Sequence, residues 1–336
     1  MKSPKNAYHP VLLLAAGIIA YLALLINYSL TPIDKKNTPV TVDIPTGSSF
    51  LKITKILEDA GMVKSRMLFY GLVSTRQALK SIRAGEYEFH TSMTPWAVVD
   101  KLLRGEIRSY RATIPEDLSV KEIVARLKEY KLIDEKHFFE LAEDKEFLRS
   151  VGINASSVEG YLFPETYYFD RSMSTRQIMR IMVNQFWKKV TPAMLDRADK
   201  LGLSVHEYVT LASIIGKESG NDAEKPLISA VFHNRLKRRM RLQSDPTAVY
   251  DLENFNGAVK RSHLKRNSPY NTYIISGLPP GPIGNPGLDS LKAALYPAGI
   301  NYLYFVSQGD GSHFFSSSLK MHNQASTRYW ENKSKK

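Results

Sequence analysis

The sequence contains no cysteine, so neither a disulfide framework nor a thiolate metal ligand or nucleophile can form. It also lacks the HExxH, P-loop and GxSxG motifs, which argues against zincin, nucleotide-binding and α/β-hydrolase chemistry. We therefore expect no metal and no cofactor. A chain without cysteine also fits an oxidising compartment outside the cytoplasm.

Only one apolar run is long enough to span a membrane. Residues 11–30 are twenty residues without a charge, the length that crosses a hydrocarbon core as a helix. A cleaved signal peptide would have a shorter apolar region followed by small residues, so a retained transmembrane anchor is predicted. Lysines flank the run almost equally, but its short head of ten residues favours a cytoplasmic N-terminus. The remainder would then lie outside the cytoplasmic membrane.

The formal net charge of +13 suggests an anionic partner, which could be nucleic acid, a membrane surface or a wall polymer. The densest basic stretch, 235–241, has five positive residues in seven. It ends a helical pattern that begins near Ala223, and cations at a helix C-terminus are favoured by the helix dipole. We interpret it as a solvated helix terminus. No nucleic-acid-binding motif accompanies it, so no nucleic acid partner is expected.

Two segments seventy positions apart share one pattern. The first contains Ile44-Pro45 and Ser49, and the second contains Ile114-Pro115 and Ser119. Each is typical of a strand, a turn and a helix capped by the serine.

The first copy belongs to a predicted β-helix-helix-β unit. After a polar linker (31–39), a strand over 40–44 begins the unit. A hairpin around 85–89 and a helix over 95–104 follow. This order suggests a LysM-like subdomain over 40–111, which would bind glycans containing N-acetylglucosamine. A plain α+β spacer is the alternative, because strand-plus-helix patterns are common.

Aromatic side chains alternate in the segment 159–168. Sugar rings stack on aromatic faces in concave sites, so Glu159 and Tyr161 are candidate substrate-binding residues. The alternation of Tyr161, Phe163 and Tyr167 fits a strand with one buried face equally well.

A helix is predicted within 204–220, where Ser204 and Glu207 form a capping box and Gly220 is the expected C-terminal cap. Glu218 continues the apolar stripe of this helix at its last turn. Partial burial at the negative end of the helix dipole would raise the pKa of this carboxyl. Such an acid could protonate a glycosidic oxygen. The alternative is an exposed glutamate paired with a neighbouring cation.

Two polar stretches rich in proline and glycine follow, at 240–250 and 269–283. Long loops with many fixed turns often build a site. The residues in them that could orient a sugar are Gln243, Asp245, Tyr270, Asn271 and Tyr273.

Five blocks in this order resemble the YceG-like family of endolytic murein transglycosylases, from the anchor to about Tyr329. They are EGYLFPETY (159–167), LASIIGKES (211–219), VFHNRLKRRMRLQSDPTAVY (231–250), SPYNTYIISGLPPGPIGNPGLDSLKAALYP (268–297) and YLYFVSQGDGSHFFSSSLKMHN (302–323). The resemblance implies that Glu218 is the catalytic residue. This chain has Gly216 where many relatives carry a glutamate, and a glycine there would loosen the helix by about 1 kcal/mol relative to alanine.

The resemblance also implies an α+β architecture. Its expected parts are a cytoplasmic tail (1–10), the transmembrane helix (11–30), the linker, the LysM-like subdomain, a catalytic domain over 112–330 and a short tail (331–336). The implied protein is held in the inner membrane with its catalytic domain in the periplasm. Its implied partners are peptidoglycan strands, the membrane and wall synthases of the penicillin-binding class.

The implied reaction cleaves the bond between N-acetylmuramic acid and N-acetylglucosamine in nascent strands and forms a 1,6-anhydro ring. A hydrolase of this bond ordinarily needs two carboxyl groups, whereas a lytic transglycosylase can work with one. Two alternatives stay open. One is a lysozyme-like hydrolase with Asp245 as second carboxylate, and the other is a non-catalytic wall-binding scaffold.

Overall fold

The computed structural model describes residues 8–75, 82–253, 255 and 257–334, and these divide into two compact units. Unit 1 comprises the chain up to Tyr110 together with 168–173, and unit 2 comprises 111–167 and everything after Met173. The boundary runs through two short strands that pair with each other, β3 (Tyr110–Thr113) and β4 (Thr166–Phe169). The mixed content of helices and short antiparallel strands confirms the α+β class.

Unit 1 begins with a long apolar helix and continues with the strand and helix pattern expected from the sequence. Its elements are α1 (Tyr8–Leu30), β1 (Pro39–Ile44), α2 (Phe50–Asp59), α3 (Arg66–Ser74), β2 (Gly85–His90) and α4 (Pro95–Arg104). The part of α1 from Pro10 to Leu30 is long and apolar enough to cross a membrane.

Strand β2 pairs antiparallel with β1, with Pro39 opposite His90 and Ile44 opposite Gly85. The predicted hairpin at 85–89 is therefore wrong, because this single strand finds its partner earlier in the chain. The helix over 95–104 is confirmed, and Gly105 ends it in a left-handed conformation with φ 64°, as C-terminal glycines do. Both serines of the repeat cap their helices: Ser49 accepts from Lys52 N–H, and Ser119 forms a full capping box.

Unit 2 is built around one helix that is buried on all sides. Its helices are α5 (Val120–Glu129), α6 (Glu135–Ala142), α7 (Lys145–Ser150), α8 (Thr175–Lys189), α9 (Pro192–Lys200), α10 (Val205–Glu218), α11 (Lys225–Lys237), α12 (Asp245–Val249), α13 (Leu288–Leu295) and α14 (Leu319–Ser334). Two short 3-10 turns lie at Asp222–Glu224 and His263–Lys265. The strands β5 (Tyr304–Ser307) and β6 (His313–Ser316) form an antiparallel hairpin.

The central helix is α10, in which every residue from Tyr208 to Gly216 is buried. The capping box of Ser204 and Glu207 is confirmed at its start. Its C-cap is Ser219 in an extended conformation, so the prediction of a Gly220 cap is wrong by one residue. A helix buried all round places its last turn against other parts of the core, which is where Glu218 lies.

The turn that begins with Gly160 lies close to α10. Gly160 has φ 89°, and a Cβ built there would lie 2.5 Å from Pro282 Cγ and 2.7 Å from Val209 Cγ1. The aromatic residues that follow, Tyr161, Phe163 and Tyr167, are all buried. Leu162 and Pro164 between them are buried as well, so residues 161–164 pack into the core on all sides, and burial alternates only in the strand β4.

We expect Gly160→Ala to destabilise unit 2 by about 1–3 kcal/mol more than Gly202→Ala, because only the first substitution forces a new methyl group into a filled space. Gly202 has a similarly positive φ of 73° but no heavy atom within 4 Å of the added Cβ. The matched pair thus separates backbone strain from steric overlap. Denaturant unfolding measures both, and equal losses would contradict the close packing of this turn.

Candidate active site

Glu218 is the last residue of α10, and its side chain is partly buried. Ser244 Oγ donates a hydrogen bond of 2.5 Å to Glu218 Oε1. The backbone N–H of Asp245 also bonds to this carboxyl. The carboxyl is therefore held from the loop that begins after α11.

Burial raises the pKa of Glu218 to about 7, and the negative charge of Asp245 adds to this rise. The hydrogen bonds from Ser244 and the Asp245 N–H favour the anion and oppose the rise. The predicted increase in pKa is confirmed. A carboxyl group with a pKa near neutrality exchanges a proton readily in both directions, which suits a group that must act first as an acid and then as a base.

A network of buried hydroxyl groups fixes Ser244. The N–H of Ser244 donates to Thr272 Oγ1 at 2.9 Å, and Thr247 Oγ1 donates to Ser244 O at 2.6 Å. Thr247 and Thr272 also share a hydrogen bond of 2.8 Å. All three side chains are fully buried, so each polar atom needs its partner. Hydrogen bonds thus join the two polar stretches, 240–250 and 269–283, next to Glu218.

Arg235 holds the same loop from the other side. Its guanidinium donates to Leu303 O at 2.7 Å, to Leu242 O at 2.7 Å and to Arg241 O at 3.2 Å. Arg235 is only 7% exposed, so the interpretation of 235–241 as wholly solvated is wrong at this residue. The planar guanidinium fork can serve several carbonyls at once, which explains why this cation is buried.

Asp245 is exposed, and its Oδ1 accepts a hydrogen bond of 2.5 Å from Tyr273 Oη. Burial raises the pKa of the Tyr273 phenol, and the hydrogen bond to Asp245 raises it further. The phenol therefore stays protonated and can donate this hydrogen bond. Arg241 donates to Tyr273 O at 2.9 Å. The structure therefore brings together three of the predicted site residues, namely Glu218, Asp245 and Tyr273.

Glu159 is a second buried carboxyl, only 6% exposed. It accepts from Val120 N–H at the start of α5, from Asn285 Nδ2 at 2.9 Å and from Tyr250 Oη at 2.8 Å. Burial raises its pKa to about 7 despite these donors. Glu159 therefore has three internal partners and connects the start of α5 to Tyr250.

An open groove of about 800 Å³ lies beside this connection. Its lining includes Ser119, Lys121, Glu122, Lys217, Asp245, Pro246, Tyr250, Phe255 and Ile283. Lys217 precedes Glu218 in the chain, and the backbone N–H of Asp245 bonds to the Glu218 carboxyl. The groove therefore adjoins the acid. Tyr250 and the start of α5 line this groove, and both donate hydrogen bonds to the buried Glu159.

The remaining predicted residues occupy different surroundings. Asn271 is fully buried, and its amide donates to Arg266 O at 2.7 Å and to Leu264 O at 3.2 Å. Tyr161 is buried with its hydroxyl 3.3 Å from His206 Nδ1. Like Glu159, these two side chains are engaged inside the protein, so any part they play in binding is indirect. The ring of Tyr270 lies 4.7 Å from that of Tyr250.

Gln243 directly precedes Ser244 in the chain and has an exposed side chain. It has a positive φ of 54°, and its Oε1 accepts from Arg235 Nη1 at 3.2 Å. Its N–H donates to Thr272 O at 3.1 Å. Gln243 therefore helps to shape the turn that presents Ser244.

The sequence-based prediction did not include Ser244, Arg235 or Tyr250 as site residues. Ser244 lies between two residues that were predicted, but a serine before Asp-Pro is also an ordinary turn residue. Arg235 was grouped with its basic neighbours, and only its burial in the folded protein distinguishes it from them. Tyr250 ends one of the family blocks and carries no local signal of its own.

Steric contact with Asp117 explains why position 216 is a glycine. The carboxylate of Asp117 lies directly against it, and a Cβ at position 216 would overlap Asp117 Oδ1. Asp117 has a positive φ of 64°, and burial raises its pKa to about 6. In this chain the Asp117 carboxyl thus fills the space that a side chain at position 216 would need, so the glycine permits close packing here and is more than a weak point in the helix.

Within the described ranges, 8–75, 82–253, 255 and 257–334, no group of three or more acidic or histidine side chains is arranged to hold a metal ion. The geometry is that of an enzyme site in which a partly buried carboxylic acid, Glu218, with a fixed hydroxyl partner, adjoins an open groove.

Comparison with known proteins agrees with this class. A profile of the YceG-like family matches residues 42–328. An endolytic murein transglycosylase of Bacillus subtilis is 33% identical over 324 residues, which are 91% of this chain and 89% of the relative. One of Streptococcus pneumoniae is 28% identical over 93% of this chain, and the match spans 62% of that longer protein. The crystal structure of a YceG-like protein from Listeria monocytogenes has a TM-score of 0.61 and 34% identity, covering 85% of this chain and 98% of that one.

The chain belongs to the YceG-like family. It is a lytic transglycosylase, an enzyme of the lyase class.

The raised pKa of Glu218 predicts a pH-dependent difference in stability between the wild type and Glu218→Gln. In the unfolded chain this carboxyl ionises near 4.5, and in the folded protein near 7. The folded state therefore binds the proton more tightly than the unfolded state does. This difference stabilises the folded protein below pH 4.5, and the stabilisation is lost as the pH rises through 7. Because glutamine mimics the protonated acid, the variant should be the more stable protein at pH 8 and equal to wild type near pH 4.5.

Denaturant midpoints at the two pH values measure this difference, and Glu159 contributes equally to both proteins. Glu207→Gln is a suitable control, since the capping hydrogen bonds lower the pKa of Glu207. That variant should gain no stability at pH 8. A Glu218→Gln protein that is less stable than wild type at pH 8 would refute the burial argument.

Arg235→Met should destabilise unit 2 strongly, by about 1–3 kcal/mol for each buried carbonyl left without a donor. Arg238→Met is the matched control, because Arg238 lies three residues on and is exposed. We expect little change for it, within about 0.5 kcal/mol. Denaturant unfolding compares the two, and similar small effects would show that the guanidinium is not needed to hold the loop.

Proposed function

We propose that this chain is an endolytic lytic transglycosylase of peptidoglycan, anchored in the cytoplasmic membrane. It would cut the bond between N-acetylmuramic acid and N-acetylglucosamine within nascent strands and leave a 1,6-anhydro end. The observation that carries the proposal is the partly buried acid Glu218 beside the groove, with its raised pKa and its hydroxyl partner Ser244. The names of the Bacillus and Streptococcus relatives support the choice of murein as substrate.

The reaction needs one group that gives a proton and then takes one back. Because Ser244 donates to Oε1, the proton of the acid form is expected on Oε2 of Glu218. That proton passes to the glycosidic oxygen as the bond from C1 of the muramyl sugar breaks. The carboxylate then removes the proton of the muramyl 6-hydroxyl, whose oxygen bonds to C1 and closes the anhydro ring. Atoms balance without water, and Glu218 ends protonated as it began.

A single carboxyl is sufficient for this route, so the role of Asp245 is different. Tyr273 donates to Asp245 Oδ1 at 2.5 Å, which occupies one of the two carboxylate oxygens. The negative charge of Asp245 beside Glu218 contributes to the raised pKa. We therefore assign Asp245 a role in tuning the acid and in contacting the sugar from the groove wall.

The groove beside the acid has the features of a glycan site. It is open and about 800 Å³ in volume, and Tyr250 and Phe255 offer aromatic surface to the apolar faces of sugar rings. Asp245, Glu122 and Lys217 offer polar atoms to hydroxyl and amide groups. An open groove admits the middle of a strand, which is what endolytic cleavage requires.

The placement of the chain is also a proposal. The apolar helix α1 would cross the inner membrane once, with the N-terminus in the cytoplasm and both units in the periplasm. The order β1, α2, α3, β2 in unit 1 is compatible with a LysM-like module that binds N-acetylglucosamine glycans. Cleavage close to the membrane would shorten or terminate new strands beside the penicillin-binding synthases.

Digestion of purified glycan strands by wild type and Glu218→Gln, with mass spectrometry of the products, tests this function. We expect anhydro ends from the wild type and a loss of at least about 100-fold in rate for the variant, which cannot donate or accept the proton. Retained unfolding behaviour shows that the variant is folded, since the substitution is nearly isosteric.

Glu207→Gln serves as the matched control, because Glu207 is exposed at the start of α10 and does not line the groove. Reducing ends in place of anhydro ends would indicate a hydrolase, with Asp245 as the second carboxylate. Equal digestion by wild type and Glu218→Gln would remove the catalytic role of Glu218, and no digestion by either would favour a wall-binding scaffold.

A further inference from the structure

Helix α3 of unit 1 is apolar on every side. From Met67 to Val73 its sequence MLFYGLV carries no charge. Phe69, Leu72 and Val73 are buried in the core of the unit. Met67 and Tyr70, however, point outward with 71% and 46% of their surface exposed. A helix that is apolar all round is normally buried in protein or in lipid, so the outward face needs an explanation.

The same helix lies alongside the candidate membrane helix α1. Tyr28 Oη donates to Ser65 O at 3.4 Å, immediately before α3 begins. Six residues further along α3, a Cβ on Gly71 would overlap Tyr21 Oη and lie 3.5 Å from Leu25 Cδ1. The glycine lets the two helices approach closely, as small residues do between membrane helices.

These contacts show that α1 and α3 run antiparallel side by side. Seven residues separate Tyr21 from Tyr28 and six separate Ser65 from Gly71, which correspond to about 10 Å and about 9 Å of helix. The shared stretch lies in the half of the apolar segment nearest the folded unit, since that segment extends from Pro10 to Leu30.

This overlap constrains where the membrane surface lies. A spanning helix needs about 20 apolar residues for a hydrocarbon core about 30 Å thick. If the bilayer ended before Tyr21, only residues 10–20 of α1 would remain inside it, and these cover about 16 Å. The bilayer must therefore reach the part of α1 that α3 accompanies.

Other exposed apolar side chains lie near the same place. Trp96, 42% exposed, follows Pro95, which lines a small pocket together with Leu24 and Tyr28 of α1. Leu51, 72% exposed, follows Phe50, whose ring centroid lies 5.7 Å from that of Tyr70. Tryptophan and tyrosine are the side chains enriched where lipid meets water.

We propose that α3 is an interfacial helix, whose Met67–Tyr70 face lies in the lipid leaflet next to the folded units. Unit 1 is then held to the bilayer by α1 and by this face together, with Trp96 at the lipid–water boundary. The proposed occupant is the lipid around α1 itself, because the face continues directly from the helix that would span it. The proposal rests on the membrane anchoring proposed above and is independent of the catalytic activity.

The absence of native cysteine makes a site-directed spin-label test straightforward. The full chain is reconstituted into vesicles of phosphatidylethanolamine and phosphatidylglycerol with one nitroxide at Met67→Cys or Tyr70→Cys. Leu14→Cys in α1 is the lipid reference, and Glu88→Cys on the exposed side of β2 is the water reference. Collision rates with oxygen and with a water-soluble nickel chelate are measured at each position.

At positions 67 and 70 we expect an oxygen-to-nickel collision ratio several-fold above that at position 88, and of the same kind as at position 14. A ratio like that of position 88 would overturn the proposal. Low collision with both reagents would also overturn it, since it would indicate a covering protein surface. If position 14 itself behaves as in water, the anchoring proposal fails instead. Denaturant unfolding of the same labelled proteins shows whether they are folded.

Discussion

The hydrogen bond from Ser244 to Glu218 is the contact on which the site depends. It joins the end of a largely buried helix to a loop that has little regular structure of its own, and it fixes one oxygen of the acid. Burial makes this carboxyl hard to ionise, while the serine and a backbone N–H limit that effect. The balance places its pKa where a proton can be both given and taken, which a free surface glutamate would not do at neutral pH.

The loop can hold Ser244 only because other buried groups hold the loop. Arg235 bonds to three backbone carbonyls around it, and the threonines of both polar stretches bond to one another. Glu159 does the same for the groove, since it ties the start of α5 to Tyr250. A buried polar group is costly unless it is satisfied, so each of these networks tolerates few alternative arrangements.

Local signals in the sequence predicted much of the framework. The capping box at Ser204, the helix that ends at Arg104 and the long apolar helix all depend on neighbours within a few residues, and all three are present. The Gly220 cap was wrong by one residue, whereas two other wrong predictions concern partners far along the chain. Residues 85–90 pair with β1 and form no hairpin, and Arg235 turns inward while Lys237, Arg238 and Arg239 remain exposed.

The sequence by itself thus determined the class of fold, the apolar helix, the start of α10 and Glu218 as the candidate acid, because these follow from periodicity, capping and motif order. The tertiary structure alone decided which groups surround that acid. Ser244 lies 26 residues from Glu218, and Tyr250 lies 91 residues from Glu159. Burial and hydrogen bonding over such separations exist only once the chain is folded, so the pKa of Glu218 is a property of the fold that the residue pattern could only suggest.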